Sequence, residues 1–112
     1  SRGRAVILVL ADDFTGAAEC AAVVRRFGLT AEVQTVPEPD TAAEVVAVDT
    51  GTRSLDPDAA AVRMEWVARA MAVARPSLVF KKVDSVLRGR VAVELAALRL
   101  VFGRTDAVLV PA

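Results

Sequence analysis

The feature that most restricts the fold is an unbroken apolar stretch, residues 5–10 (Ala-Val-Ile-Leu-Val-Leu), which gives way abruptly to acid at Asp12. A strand with one wet face alternates apolar and polar residues, whereas a strand without alternation has both faces covered, as in parallel sheets. Covering both faces calls for helices on each side of the sheet. The first follows at once: from Gly16 onward Ala17, Ala21, Val24 and Phe27 recur at helical spacing, and Gly28 stands as the C-terminal stop.

The same alternation continues along the chain. Residues 30–36 are predicted as a second strand, closed by a loop containing Pro37 and Pro39, and residues 45–48 as a third, bounded by Asp49-Thr50-Gly51. A long helix is expected over about 57–74, with Asp56 as its cap and Pro57 at the permissive first position. Val62, Trp66, Ala70 and Val73 recur along it at helical spacing, and Trp66 and Met71 read as core or helix-contact residues. Residues 77–82 form a fourth strand, Val91, Leu95, Leu98 and Phe102 mark a third helix stopping at Gly103, and residues 106–110 form a last strand. Strands alternating with helices over short connections predict an open, mainly parallel, doubly wound (Rossmann-like) α/β sheet of about five strands with helices on both faces. The 112 residues have room for one domain, and 4% aromatics against abundant Ala, Val and Leu predict a core of small and branched aliphatic side chains. There is no internal repeat, low-complexity tract or interdomain linker. The chain ends at Val110-Pro111-Ala112, directly after a strand, where such folds place a functional loop, and it therefore reads as a fragment.

Several function classes are excluded by composition. Fourteen Lys plus Arg balance fourteen Asp plus Glu, so no global field draws the chain to nucleic acid or to an anionic membrane. Histidine is absent, which rules out a histidine base and histidine-ligated zinc. The single cysteine, Cys20, cannot form an internal disulfide, fits a reducing cytosol and reads as a packing residue. No apolar run approaches the roughly 18 residues of a membrane span, and the opening Ser-Arg-Gly-Arg lacks a signal-peptide pattern, so a cytoplasmic protein is expected.

In an open parallel sheet, ligands bind outside the carboxyl ends of the strands. There the predicted loops are unusually charged: Asp12, Asp13 and Thr15 after strand one, Asp49, Thr50, Thr52 and Arg53 after strand three, and Lys81, Lys82, Asp84, Ser85, Arg88 and Arg90 at and after strand four. Asp12 and Asp13 can accept a hydroxyl, hold Mg²⁺ through water or act as a general base, while the plainer reading makes Asp13 or Thr15 a helix cap. Arg53 is suited to clamp a carboxylate, unless it is a surface arginine. The run from Lys81 to Gly89 can bind a carboxylate or a phosphate, or it is a solvated basic surface with Asp84 and Arg88 paired one turn apart.

Three motifs taken together, Ala-Asp-Asp-Phe-Thr-Gly-Ala-Ala at 11–18, Asp-Thr-Gly-Thr-Arg-Ser at 49–54 and Phe-Lys-Lys-Val-Asp-Ser-Val-Leu-Arg-Gly at 80–89, resemble the four-carbon acid sugar kinase family. Their order and the Val-Pro-Ala ending extend the resemblance over nearly the whole chain. It implies ATP-dependent phosphorylation of a terminal hydroxyl on a sugar acid of the threonate, erythronate or 3-oxo-tetronate type. This chain would be the amino-terminal, sugar-acid-binding domain. The carboxyl-terminal nucleotide-binding domain, with its ATP and Mg²⁺, would be missing, so that the fragment alone binds no cofactor tightly and hardly catalyses. Carried over by position, Asp12, Asp13, Arg53, Lys81, Lys82, Asp84, Ser85, Arg88 and Gly89 are the substrate-binding residues, with Asp13 the catalytic one and no resident metal. The implied partners are a small sugar acid and the missing domain, with room for a homo-oligomer. Three positions depart from the family pattern: Phe14 for leucine, which reads as a conservative core change, Val86 for threonine and Arg90 for asparagine.

Two other function classes fit parts of the pattern. A phosphoacceptor receiver domain has similar length and would use Asp12, Asp13 and Asp49 as its acidic pocket, but it expects a lysine at the end of strand five, and Val108-Leu109-Val110-Pro111 has none. A non-catalytic module that senses a small anion would need only the binding residues.

Overall fold

The computed structural model describes residues 6–83 and 107–111, with side chains described from 6 to 81. The elements are β1 (Ile7–Ala11), α1 (Phe14–Arg26), β2 (Ala31–Gln34), β3 (Val45–Asp49), α2 (Pro57–Ala72), β4 (Leu78–Val83) and β5 (Ala107–Pro111). The strands form a sheet in the order β2-β3-β1-β4-β5, and every neighbouring pair is parallel. The expected α/β architecture is thus the observed one. The third helix expected over residues 91–102 lies outside the described residues.

The unalternating β1 behaves as its composition requires. It lies between β3 and β4, and its successive side chains serve two separate cores. Leu8 and Leu10 join Val46, Val48 and Val79 beneath α2, where Met64, Val67, Ala68 and Met71 complete the cluster. Val9 and Ala11 join Val45 and Ala47 beneath α1, packed by Ala17 with Cys20 and Val24 alongside. Gly16, Ala17 and Ala21 are the buried residues of α1, and small side chains on that face let the helix approach the alanines of the sheet closely. Each fully buried Leu, Val or Met contributes about 1.5–3 kcal/mol relative to exposure, so these two clusters dominate the stability of the described fold. Among the described residues, no helix is long and apolar enough to cross a membrane.

Two sequence expectations about helix faces are corrected. Phe27 is the C-cap of α1, not part of its buried stripe, and is 81% exposed. On α2, Val62 and Val73 are 72% and 75% exposed and Trp66 is 49% exposed, whereas the buried stripe is Ala60, Met64, Val67, Ala68 and Met71. The helix carries apolar residues on two stripes, and only one can meet the sheet. Both helices are capped as expected at their starts: the Asp13 side chain accepts from the Gly16 N–H and that of Asp56 from the Ala59 N–H. At its other end α2 stops at Ala72, short of the expected 74, and the turn passes through Arg75 at φ +51° before Pro76. Gly28, at φ +86°, takes the left-handed conformation that ends α1.

The corrected face of α2 is directly testable by chemical denaturation. Met64→Ala should cost about 2–5 kcal/mol by leaving a cavity, and Val62→Ala should stay within about 0.5 kcal/mol. Similar losses for both would show that the helix is rotated from this orientation.

Candidate functional site

β1 and β3 are neighbours, yet their outgoing helices cover opposite faces of the sheet. Their loops therefore diverge above the carboxyl edge, and a crevice opens between them, the position at which parallel sheets bind ligands. A cavity of about 180 Å³ lies there, lined by Asp12, Asp13, Phe14, Asp49, Gly51, Arg53 and Ser54. Register brings the contributing strands level, because Ala11 pairs with Asp49 on one side and Lys82 on the other.

Asp13 is held at both carboxylate oxygens. Its Oδ1 accepts from the Gly16 N–H at 2.8 Å, and its Oδ2 forms an ion pair with Arg53 Nη1 across 40 residues of sequence. The capping function is therefore real, and the same side chain also faces the cavity. The Arg53 backbone N–H donates to the Asp12 carbonyl at 3.2 Å, which ties the two loops together by main chain as well as side chain.

The hydroxyls expected from strand three have a different task. Thr50 and Thr52 are fully buried. Thr50 Oγ1 donates to the Ala11 carbonyl at 2.9 Å, and the Thr50 N–H donates to the same carbonyl at 2.8 Å. The two hydroxyls are 2.9 Å apart. Because a threonine hydroxyl has one proton and Thr50 spends it on Ala11, Thr52 is the donor in that pair. These residues fasten the β3 loop to the end of β1 beneath the cavity. Asp49 turns the chain: its Oδ1 accepts from the Gly51 N–H at 2.8 Å, and Gly51 sits at φ +67°, where a side chain is disfavoured.

The basic signature is only partly placed. Lys81 is 1% exposed and shares its register row with Leu10, on the α2 side of β4, and it is not among the residues lining the cavity. Lys82 is level with Ala11 in β4, but its side chain, like Asp84, Ser85, Arg88 and Gly89, lies outside the described residues, as do Val86 and Arg90. Asp12, Asp13 and Arg53 are brought together as expected. Phe14 was expected as a conservative core change, but it is 55% exposed and forms part of the cavity wall. Residue type at the first position of α1 does not report which side of the helix start the ring occupies. Arg63 was not singled out by sequence, although its Nε donates to the Thr50 carbonyl at 3.0 Å. An arginine inside a helix carries no local sign that it reaches back to a loop. Among the described residues, no group of three or more His, Cys, Asp or Glu side chains is arranged to hold a metal ion.

Comparison with known proteins agrees with this fold. Residues 7–112 match the family model of a sugar-binding N-terminal domain. The chain is 33% identical over 102 residues to a D-erythronate kinase of Heliobacterium modesticaldum, an alignment covering 87% of this chain and 23% of the relative. It is 40% identical over 96 residues to a D-threonate kinase of Cupriavidus necator, covering 81% and 23% respectively. A Bordetella bronchiseptica protein, solved as a domain-swapped dimer with bound citrate, superposes with a TM-score of 0.80 at 32% identity, covering 91% of this chain and 28% of that one. The chain thus spans about a quarter of the length of these relatives. With the family model matched over nearly its whole length, this chain belongs to the sugar-binding amino-terminal domain family of the four-carbon acid sugar kinases.

Proposed function

We propose that this domain binds a four-carbon sugar acid of the threonate, erythronate or 3-oxo-tetronate type, and that the full-length protein phosphorylates a terminal hydroxyl of that acid with ATP. The observation that carries this reading is the convergence of Arg53 with Asp12, Asp13 and Asp49 in one small cavity. A guanidinium offers paired donors to a carboxylate, and ionised carboxylates accept from hydroxyls. Both are what a polyhydroxy acid presents. The solved relative, of which this chain covers 28%, was obtained with bound citrate, itself a hydroxy acid.

In this reading Arg53 holds the ligand carboxylate, Asp12 and Asp13 orient the hydroxyls, and Asp13 takes the proton from the hydroxyl that attacks. Lys82, Asp84, Ser85, Arg88 and Gly89 complete the basic side of the pocket, a role supported for Lys82 by the in-register pairing of β4 with β1, whereas the buried Lys81 stays beneath it. ATP with its Mg²⁺ is bound by a carboxyl-terminal domain of the full-length protein, a division of labour supported by relatives about four times as long as this chain. ATP supplies the phosphoryl group; the residues of this domain supply position, which is most of what phosphoryl transfer requires. The single cysteine and the small metabolic acid fit a cytoplasmic enzyme, and the dimeric relative supports association of two copies.

D-threonate or D-erythronate should raise the melting temperature of the full-length protein, by the equivalent of about 2.7 kcal/mol at a hundredfold excess over Kd. Arg53→Ala should abolish most of that shift. A panel of four-carbon acids that gives neither a shift nor calorimetric heat would falsify the ligand class. Asp13→Asn preserves an acceptor for the cap and removes the base, so kcat should fall about a hundredfold or more while KM changes less than about tenfold. Equal losses in binding and turnover would reduce Asp13 to a binding residue, and a larger kcat loss in Asp12→Asn would pass the proton to Asp12.

A further inference from the structure

The loop that carries Arg53 is braced from α2. Arg63 lies in the second turn of that helix, and its Nε donates to the Thr50 carbonyl at 3.0 Å. Thr50 also directs its N–H and its hydroxyl to the Ala11 carbonyl. The chain leaving β3 is therefore gripped on the β1 side by Ala11 and on the α2 side by Arg63. The next residue is Gly51, at φ +67°, and a Cβ built there would lie 4.0 Å from Arg63 Nη2. Glycine offers little resistance to torsional change, so the loop has its softest joint directly beside the brace.

The brace is itself held. The Arg63 guanidinium carbon lies 4.8 Å from the centroid of the Trp66 ring, one turn further along α2. Trp66 is half exposed and takes no part in either core cluster, so burial does not account for it. A guanidinium can stack its face on an indole while an edge N–H makes a hydrogen bond, and the two contacts together fix its plane. A lysine ammonium has neither a flat face nor a fixed donor direction.

The geometry points to Arg63 as a positioning residue for the acid-binding site: held flat by Trp66, it fixes the Thr50–Gly51 peptide and thereby the place of Arg53 in the cavity. This rests on the reading of the cavity as a sugar-acid site. Arg63 is absent from the cavity wall. Its effect passes through a loop that is also attached by the Arg53–Asp13 ion pair, the Arg53 N–H on the Asp12 carbonyl and the turn from Thr52 to Leu55.

Steady-state kinetics of the full-length protein with a four-carbon acid and ATP would test this. Arg63→Ala and Arg63→Lys should each raise KM for the acid about fivefold to tenfold and alter kcat and the KM for ATP much less, since a misplaced Arg53 weakens ground-state binding. Trp66→Ala should raise KM in the same direction, and Trp66→Phe, which keeps an aromatic face, should restore it. In the Arg63→Ala background, Trp66→Ala should add nothing, because the two act as one unit. Arg63→Lys retains charge and stem, so it reads the positioning role if the alanine variant fails to fold. An unchanged KM in Arg63→Lys, or additive effects of the two alanine substitutions, would overturn the role of Arg63 while leaving the acid site standing. A wild-type protein that neither binds nor phosphorylates any four-carbon acid would instead remove the acid reading on which it rests.

Discussion

Asp13 divides one carboxylate between two structures that sequence keeps far apart. One oxygen completes the first turn of α1, and the other meets Arg53 from the loop beyond β3. The pair is partly exposed, with side-chain exposures of 55% for Arg53 and 29% for Asp13, and such pairs contribute no more than about 1 kcal/mol to stability. Its importance is therefore geometric. The cap fixes the carboxylate relative to α1, and the carboxylate then fixes a guanidinium that would otherwise sample many rotamers on a loop.

That arrangement depends on topology before it depends on any single residue. Because α1 packs on one face and α2 on the other, the loops that leave β1 and β3 part company, and the space between them cannot be filled by either helix. The junction of the β3 loop with the end of β1 is closed by the Thr50 and Thr52 hydroxyls and the Ala11 carbonyl. A buried hydroxyl without a partner would cost about 1–3 kcal/mol, so this junction constrains the loop.

Much of this was legible in the sequence, for reasons that differ by element. The unalternating β1 and the caps at Asp13 and Asp56 were readable because each is a local requirement of chain physics: two covered faces, or an orphan N–H. The gathering of Asp12, Asp13 and Arg53 followed from the rule that parallel strands deliver their loops to one edge. The face of α2 was not readable from period alone. Val62, Trp66, Ala70 and Val73 keep helical spacing as faithfully as Ala60, Met64, Val67 and Met71 do, and only docking on the sheet selects between them. The burial of Thr50 and Thr52 in the loop after β3 is a tertiary fact that spacing does not encode. Arg63 was invisible for the same reason.

The register row that joins Ala11 to Asp49 and Lys82 has a consequence for how such a protein can change. It works as a common datum from which the loops of the site are measured. Substitutions or insertions beyond the row redraw the pocket and leave the datum intact. A single residue added within β1 would lift Asp12 and Asp13 by about 3.3 Å against Arg53 and turn Leu8 and Leu10 to the wrong core. Diversification of ligand preference in this fold is thus channelled into the loops, and strand length is the quantity that inheritance must conserve.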